Sequence, residues 1–273
     1  MTKIKQSELE LASPNMNRIE QLFQQTNNNI LSVYFTAGYP NLNDTVPVIQ
    51  SLEKNGVQLI EIGIPFSDPM ADGPVIQASG TQALKNGMSL RLLFEQLSDV
   101  RRSVKIPLVL MGYLNPILQF GFEKFCAEAQ RCGIDGVIIP DLPFGEYLES
   151  YKSVAEKHGL HMIMLITPET SDERIRLIDQ NTGGFIYMVS SASVTGAKTA
   201  FGDENLQYFK RVNAMNLRNP RLIGFGISNK TTFDAACENA SGAIIGSKFV
   251  SLLGSEKSVD EAVEKLIKSI RNL

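Results

Sequence analysis

Eight short apolar runs, each followed by a loop and a helix-period segment, constrain this chain more than any other feature. They cover residues 30–37, 57–62, 107–111, 136–139, 161–166, 185–189, 222–225 and 243–245. Rich in Val, Ile and Leu and bounded by Gly, Pro, Asp or Ser, they read as buried parallel strands. Helices are predicted over residues 45–55, 90–102, 122–132, 146–158, 172–179, 204–215, 230–238 and 259–271, with an extra one over 75–85. Gly56 is placed as the glycine after the first of these, and Ser89 as the N-cap of the second. Strands that alternate with helices demand a parallel sheet with crossover connections. At 273 residues a closed (β/α)8 TIM barrel, typically about 250 residues, accommodates all eight. An open doubly wound sheet would need a second domain to reach eight strands, and no linker divides the chain. The expectation is an α/β fold with one barrel domain over residues 16–273. Residues 1–15 are polar and without a period, and are expected to form a flexible extension.

Composition removes several functional classes. Hydrophobic residues make up 43% of the chain and charged residues 20%, which supports a sizeable core and argues against disorder. A net charge of −3 offers no basic surplus for nucleic acid. No apolar run reaches the roughly 18 residues of a membrane span, and the N-terminus lacks a signal-peptide core. Three cysteines (Cys126, Cys132, Cys237) cannot all pair and form no C-x-x-C. The expected location is therefore the cytoplasm, with reduced thiols.

In such a barrel the site lies at the C-terminal ends of the strands. Period-2 alternation puts Glu61 on the face opposite Ile60 and Ile62, pointing into the barrel near its top. A buried carboxyl there is costly, and burial raises its pKa toward the range useful for proton transfer. The competing reading is a structural glutamate held by backbone donors or a buried Arg. Asp72, beyond the strand in Met70-Ala71-Asp72-Gly73-Pro74, is either a helix-start or Asx-turn residue or a second acid of the site; Asp68 reads as structural or interfacial. Gly224-Phe225-Gly226 and Gly246-Ser247 follow strands seven and eight, where backbone N–H groups bind phosphate in many barrels. Schiff-base chemistry needs a lysine in an apolar pocket, and no predicted strand has an inward lysine. A metal site would draw on histidines, and the two present, His158 and His161, fall at the barrel floor. Carboxylate acid–base chemistry on a small phosphorylated molecule remains.

The loop Glu61-Ile-Gly-Ile-Pro-Phe-Ser-Asp-Pro-Met-Ala-Asp72-Gly-Pro closely resembles the signature of the tryptophan synthase alpha subunit family. Further motifs follow in family order: Phe35-Thr36-Ala37-Gly38-Tyr39-Pro40, Met111-Gly-Tyr-Leu-Asn-Pro-Ile, Pro140-Asp141-Leu142-Pro143, Val194-Thr195-Gly196, Gly224-Phe-Gly-Ile-Ser and Gly246-Ser247. They extend from about Met16 to the C-terminus. The resemblance implies a lyase that splits indole-3-glycerol phosphate into indole and glyceraldehyde 3-phosphate by a retro-aldol reaction, within tryptophan biosynthesis. It implies Glu61 and Asp72 as catalytic carboxylates, and Gly196, Gly226, Gly246 and Ser247 as phosphate-binding. Tyr34, Met111, Ile138, Tyr187 and Phe225 are implied to line the indole pocket, and Thr195 to be a lid threonine that meets Asp72. Ser193 and Ser191 depart from the Gly and Arg of many members, implying a stiffer lid. No cofactor is implied for this chain; a beta-subunit partner in an α2β2 heterotetramer would carry pyridoxal phosphate. Alternatives are a stand-alone indole-glycerol phosphate lyase and a non-catalytic allosteric subunit of the beta partner.

Overall fold

The computed structural model describes residues 16–190 and 201–271. Among them nine strands form one parallel sheet: β1 Ile30–Thr36, β2 Leu59–Gly63, β3 Leu108–Met111, β4 Gly136–Ile138, β5 His161–Ile163, β6 Leu165–Ile166, β7 Ile186–Val189, β8 Arg221–Gly224 and β9 Gly242–Ile245. Their spatial order is β5-β4-β3-β2-β1-β9-β8-β7-β6. The outermost strands, β5 and β6, are consecutive in the chain with Met164 alone between them, so the sheet closes on itself through the backbone. This is the expected (β/α)8 barrel with its fifth strand divided. The division corrects the single strand predicted over 161–166. Its first part pairs with β4 and its second with β7, as the stagger of a barrel requires.

Side-chain alternation builds two cores. Ile60, Ile62, Leu108, Leu110, Val33 and Phe35 face outward against the helices. Ile30, Leu59, Val109, Ile138, Ile163, Leu222 and Ile244 fill the interior. Fully burying an Ile or Leu is worth about 1.5–3 kcal/mol. A one-residue slip of β2 would drive Glu61 into the helix layer, so the register is fixed. β1 and β9 meet along Ile30↔Gly242 to Val33↔Ile245. At Gly242 a side chain is excluded, because a Cβ there would stand 2.1 Å from the Ile30 carbonyl oxygen.

The helices largely follow the predicted spans, with informative differences. Ser89 caps Leu90–Leu97 by accepting from the Leu92 N–H at 3.2 Å. That helix stops five residues early, and a 3-10 turn, Val100–Arg102, completes the segment. The 146–158 segment begins at Phe144 and contains a π-helical turn, Tyr147–Tyr151. The extra helix starts at Pro74, which suits a first helical position because its missing N–H is not needed there. Three helices were not predicted: Arg18–Gln25, Leu114–Phe120 and Ser247–Ser255. The first closes the barrel floor. Asn17 caps it by accepting from the Ile19 N–H at 2.9 Å, and Ile19 is wholly buried among Ile30, Leu59, Ile163 and Phe185.

Beneath the strands, Asp135 is nearly fully buried. Its carboxylate takes Arg101 at 2.6 Å, Arg18 at 3.0 Å and the Leu108 N–H at 2.9 Å. Arg101 also donates to the carbonyls of Gly133 and Ile106. The histidines lie at this end too, with His158 Nδ1 2.8 Å from Gln130 Oε1 and His161 at the start of β5.

Candidate active site

At the opposite end, the loops after β2, β8 and β9 surround a cavity of about 610 Å³, measured out to its open mouth. Tyr34, Met111, Tyr187 and Phe225 supply its aromatic and apolar wall, and Asp72 stands on its rim. Tyr34 and Tyr187 lie across the ends of β2 and β8. A methyl group at Gly63 would come within 2.1 Å of the Tyr34 hydroxyl, and one at Gly224 within 2.2 Å of the Tyr187 hydroxyl. These glycines therefore make room for two phenol rings. Tyr187 meets Phe225 edge-on at 6.0 Å, a favoured aromatic geometry.

Glu61 points into the barrel and is completely buried. Its Oε1 accepts from the Ser32 hydroxyl at 3.1 Å, whereas Oε2 has no partner among the described residues. Among the described residues neither backbone donors nor an arginine hold it, so the competing structural reading lacks its partner there. Burial pushes the carboxyl up to about 8, against the pull of the Ser32 hydrogen bond. The cavity wall includes Asp72 but not Glu61, which lies deeper.

Asp72 sits one residue before the N-cap of helix Pro74–Lys85. Its Oδ2 accepts from the Tyr113 hydroxyl at 3.0 Å, and the same hydroxyl accepts from the Ala71 N–H at 3.0 Å. Burial raises the Asp72 carboxyl and the Tyr113 bond lowers it. Tyr113, stacked on Phe66 at 5.3 Å, was not singled out as a site residue by sequence reasoning. Its position two residues past the end of β3 is the signal that could have found it.

Phe225 and Gly226 both have positive φ, 66° and 79°, an uncommon conformation for phenylalanine. The turn is held by Ser190, whose hydroxyl donates to the Phe225 carbonyl at 2.7 Å and whose N–H donates to that of Gly224 at 3.2 Å. Beside it, Gly246 caps helix Ser247–Ser255. Gly226, Gly246, Ser247 and Lys248 all line the cavity. The first N–H groups of a helix lack intrahelical acceptors and carry partial positive charge, so this wall suits an anion.

Seven expected binding residues therefore meet around one cavity. Ile138 does not. It lies wholly within the interior packing, because β4 ends there and places it below the mouth. Thr195 and Gly196 fall outside the described residues, as do Ser191 and Ser193. Gly73, Ile76, Ile227, Ser228, Ile244 and Lys248 also line the cavity and were given no binding role from sequence. Among the described residues no group of three or more His, Cys, Asp or Glu is placed to hold a metal ion. No described helix is long and apolar enough to cross a membrane.

Barrel, mouth-facing cavity, buried acids and anion-binding helix end together define a (β/α)8-barrel enzyme of the kind that handles small phosphorylated molecules. Comparison with known proteins gives the family. The "Tryptophan synthase alpha chain" family matches residues 20–273. The alpha chain of Parabacteroides distasonis is 64% identical over 94% of this chain and 100% of its own length. That of Bacteroides fragilis is 65% identical over 94% and 98%. Among solved structures, the alpha subunit from Legionella pneumophila superposes with a TM-score of 0.85 at 35% identity, covering 94% of this chain and 98% of its own. The Mycobacterium tuberculosis tryptophan synthase gives 0.83 at 28%, over 93% and 98%. The chain belongs to the tryptophan synthase alpha chain family, and is a lyase of tryptophan biosynthesis that cleaves indole-3-glycerol phosphate.

Proposed function

We propose that Glu61 and Asp72 carry this cleavage between them, with Glu61 moving protons and Asp72 stabilising charge. The observation that supports the assignment most strongly is a buried and a half-buried carboxyl, neither met by a cation among the described residues, at the same barrel mouth as a helix N-terminus. The phosphate sits on the N–H groups of Gly226, Gly246 and Ser247, with Gly196 contributing from the loop after β7. The indole ring lies among Tyr34, Met111, Tyr187 and Phe225. Ring carbon C3 is a poor leaving group until it is protonated. Held neutral near pH 7 by burial, Glu61 turns from Ser32 toward the mouth and gives its proton to C3. The positive charge that develops at the ring N–H is met by the Asp72 carboxylate. The Glu61 carboxylate then accepts the proton of the glycerol hydroxyl next to C3. The C–C bond breaks, its electron pair restores the indole ring, and glyceraldehyde 3-phosphate leaves. Glu61 ends protonated, as it began.

The chain works as one barrel domain, residues 16–273, in the cytoplasm. It needs no cofactor of its own. Its partner is the pyridoxal-phosphate-bearing beta subunit in an α2β2 assembly, docking on the loops after β2 and β7, with Thr195 closing over Asp72. The decisive experiment measures indole release from indole-3-glycerol phosphate by the purified chain, with and without beta subunit. Glu61→Gln and Asp72→Asn each abolish most of the release; full retention in either variant overturns the assignment. Acceleration by the beta subunit is expected, and its absence would favour a stand-alone lyase.

A further inference from the structure

We propose that Ser32 is a positioning residue for the reaction, holding the resting Glu61 carboxyl below the mouth and setting how tightly it keeps its proton before it turns to the substrate. The inference rests on the acid role given to Glu61 above.

Ser32 lies between Ile30 and Tyr34 on the inward face of β1 and is completely buried. Its register partners are Leu59 on β2 and Ile244 on β9. A hydroxyl so placed, at a level otherwise filled by aliphatic side chains, needs an acceptor, and it has Glu61 Oε1 at 3.1 Å. The register makes this contact diagonal. Glu61 pairs with Tyr34, two residues nearer the mouth than Ser32. The carboxyl therefore reaches toward the barrel floor to meet the hydroxyl, which explains its absence from the cavity wall. Among the described residues Ser32 supplies the one hydrogen bond that Glu61 receives.

The other titratable groups around Glu61 are Tyr34 on β1, Tyr187 on β7 and Asp72 in the loop after β2. The inward residues of β3 and β9, Val109 and Ile244, are apolar. No cation faces the carboxyl from these elements. Donation by Ser32 favours the ionised form, while burial favours the neutral one. Loss of the hydroxyl leaves burial unopposed. A hydrogen bond to a charged group is commonly strong enough to change proton affinity about tenfold.

The test is a 13C NMR titration of the full chain labelled at the glutamate side-chain carboxyl, with the Glu61 signal identified by its loss in Glu61→Gln. In Ser32→Ala the Glu61 midpoint is expected to rise by about one pH unit, a tenfold gain in proton affinity. Ser32→Thr keeps the hydroxyl and is expected to remain near the native midpoint. Ser32→Cys, close in size but a weaker donor, should fall between and serves if the alanine variant does not fold. The pH profile of indole release should shift with the midpoint. An unchanged or lowered midpoint in the variants lacking the hydroxyl overturns the proposal, as does a threonine variant displaced as far as alanine. Because the titration needs no turnover, this failure is separate from that of the acid role, which Glu61→Gln tests through indole release.

Discussion

The two ends of the barrel each bury carboxyl groups, and treat them in opposite ways. At the floor, Asp135 is surrounded by two guanidinium groups and a backbone N–H. At the mouth end, among the described residues, Glu61 has a single hydroxyl and an unpartnered oxygen, and Asp72 has one phenol. The floor ties its acid to two guanidinium groups and to the start of a strand. The mouth leaves its acids poorly compensated, so that their proton affinities are displaced upward. Full compensation marks an acid that holds structure, and deficient compensation marks one available for chemistry.

The sharpest way to break this contrast is Glu61→Gln. Acid–base groups contribute about 10²–10⁴-fold, so indole release should fall within that range. Thermal unfolding should hold or improve, because no ion pair is lost. The reciprocal change is Asp135→Ala. Removing one partner of a buried pair typically costs about 3–5 kcal/mol, and urea unfolding should report a loss of that size. The fraction that stays folded should cleave substrate at the native rate. A large loss of turnover without loss of stability would erase the distinction.

Tyr113→Phe is the milder probe. It removes the bond to Asp72 while keeping the ring on Phe66. A loss of about tenfold in kcat/KM is expected, the equivalent of one hydrogen bond to a charged group. A further effect is one of pH. Glu61 holds its proton to about 8 in the folded chain, against an ordinary 4.5. Its contribution to stability is therefore complete below about 4.5 and is lost as pH rises toward 8. Denaturant titrations across that interval should slope downward for the native chain and less steeply for Glu61→Gln.

The sequence reveals those features that depend on neighbours along the chain. Alternation within 57–62 suffices to aim Glu61 inward, and the Gly-Pro after Asp72 suffices to place it before a helix. The order of strands and helices likewise specifies the barrel. Features that arise from distant segments are silent. Tyr113 reaches Asp72 across 41 positions and Ser32 reaches Glu61 across 29, and nothing local in either residue announces the contact. The division at Met164 follows from which neighbour each half-strand meets. Helix Arg18–Gln25 has just eight residues, and its purpose as a plug exists only once the floor has formed. Ile138 falls short of the cavity because β4 has three residues, fewer than its apolar run suggests.

The sheet order has a consequence for how the molecule is made. Strands β1 to β5 are laid down in sequence, each beside the last, yet the free side of β1 is answered by β9, the last of the described strands to leave the ribosome. A nascent chain must therefore carry an open edge at Ile30–Val33 through most of its synthesis. The bare backbone of Gly242 completes the seam. A side chain at that position would press on the Ile30 carbonyl and strain the join by which the last strand shuts the cylinder.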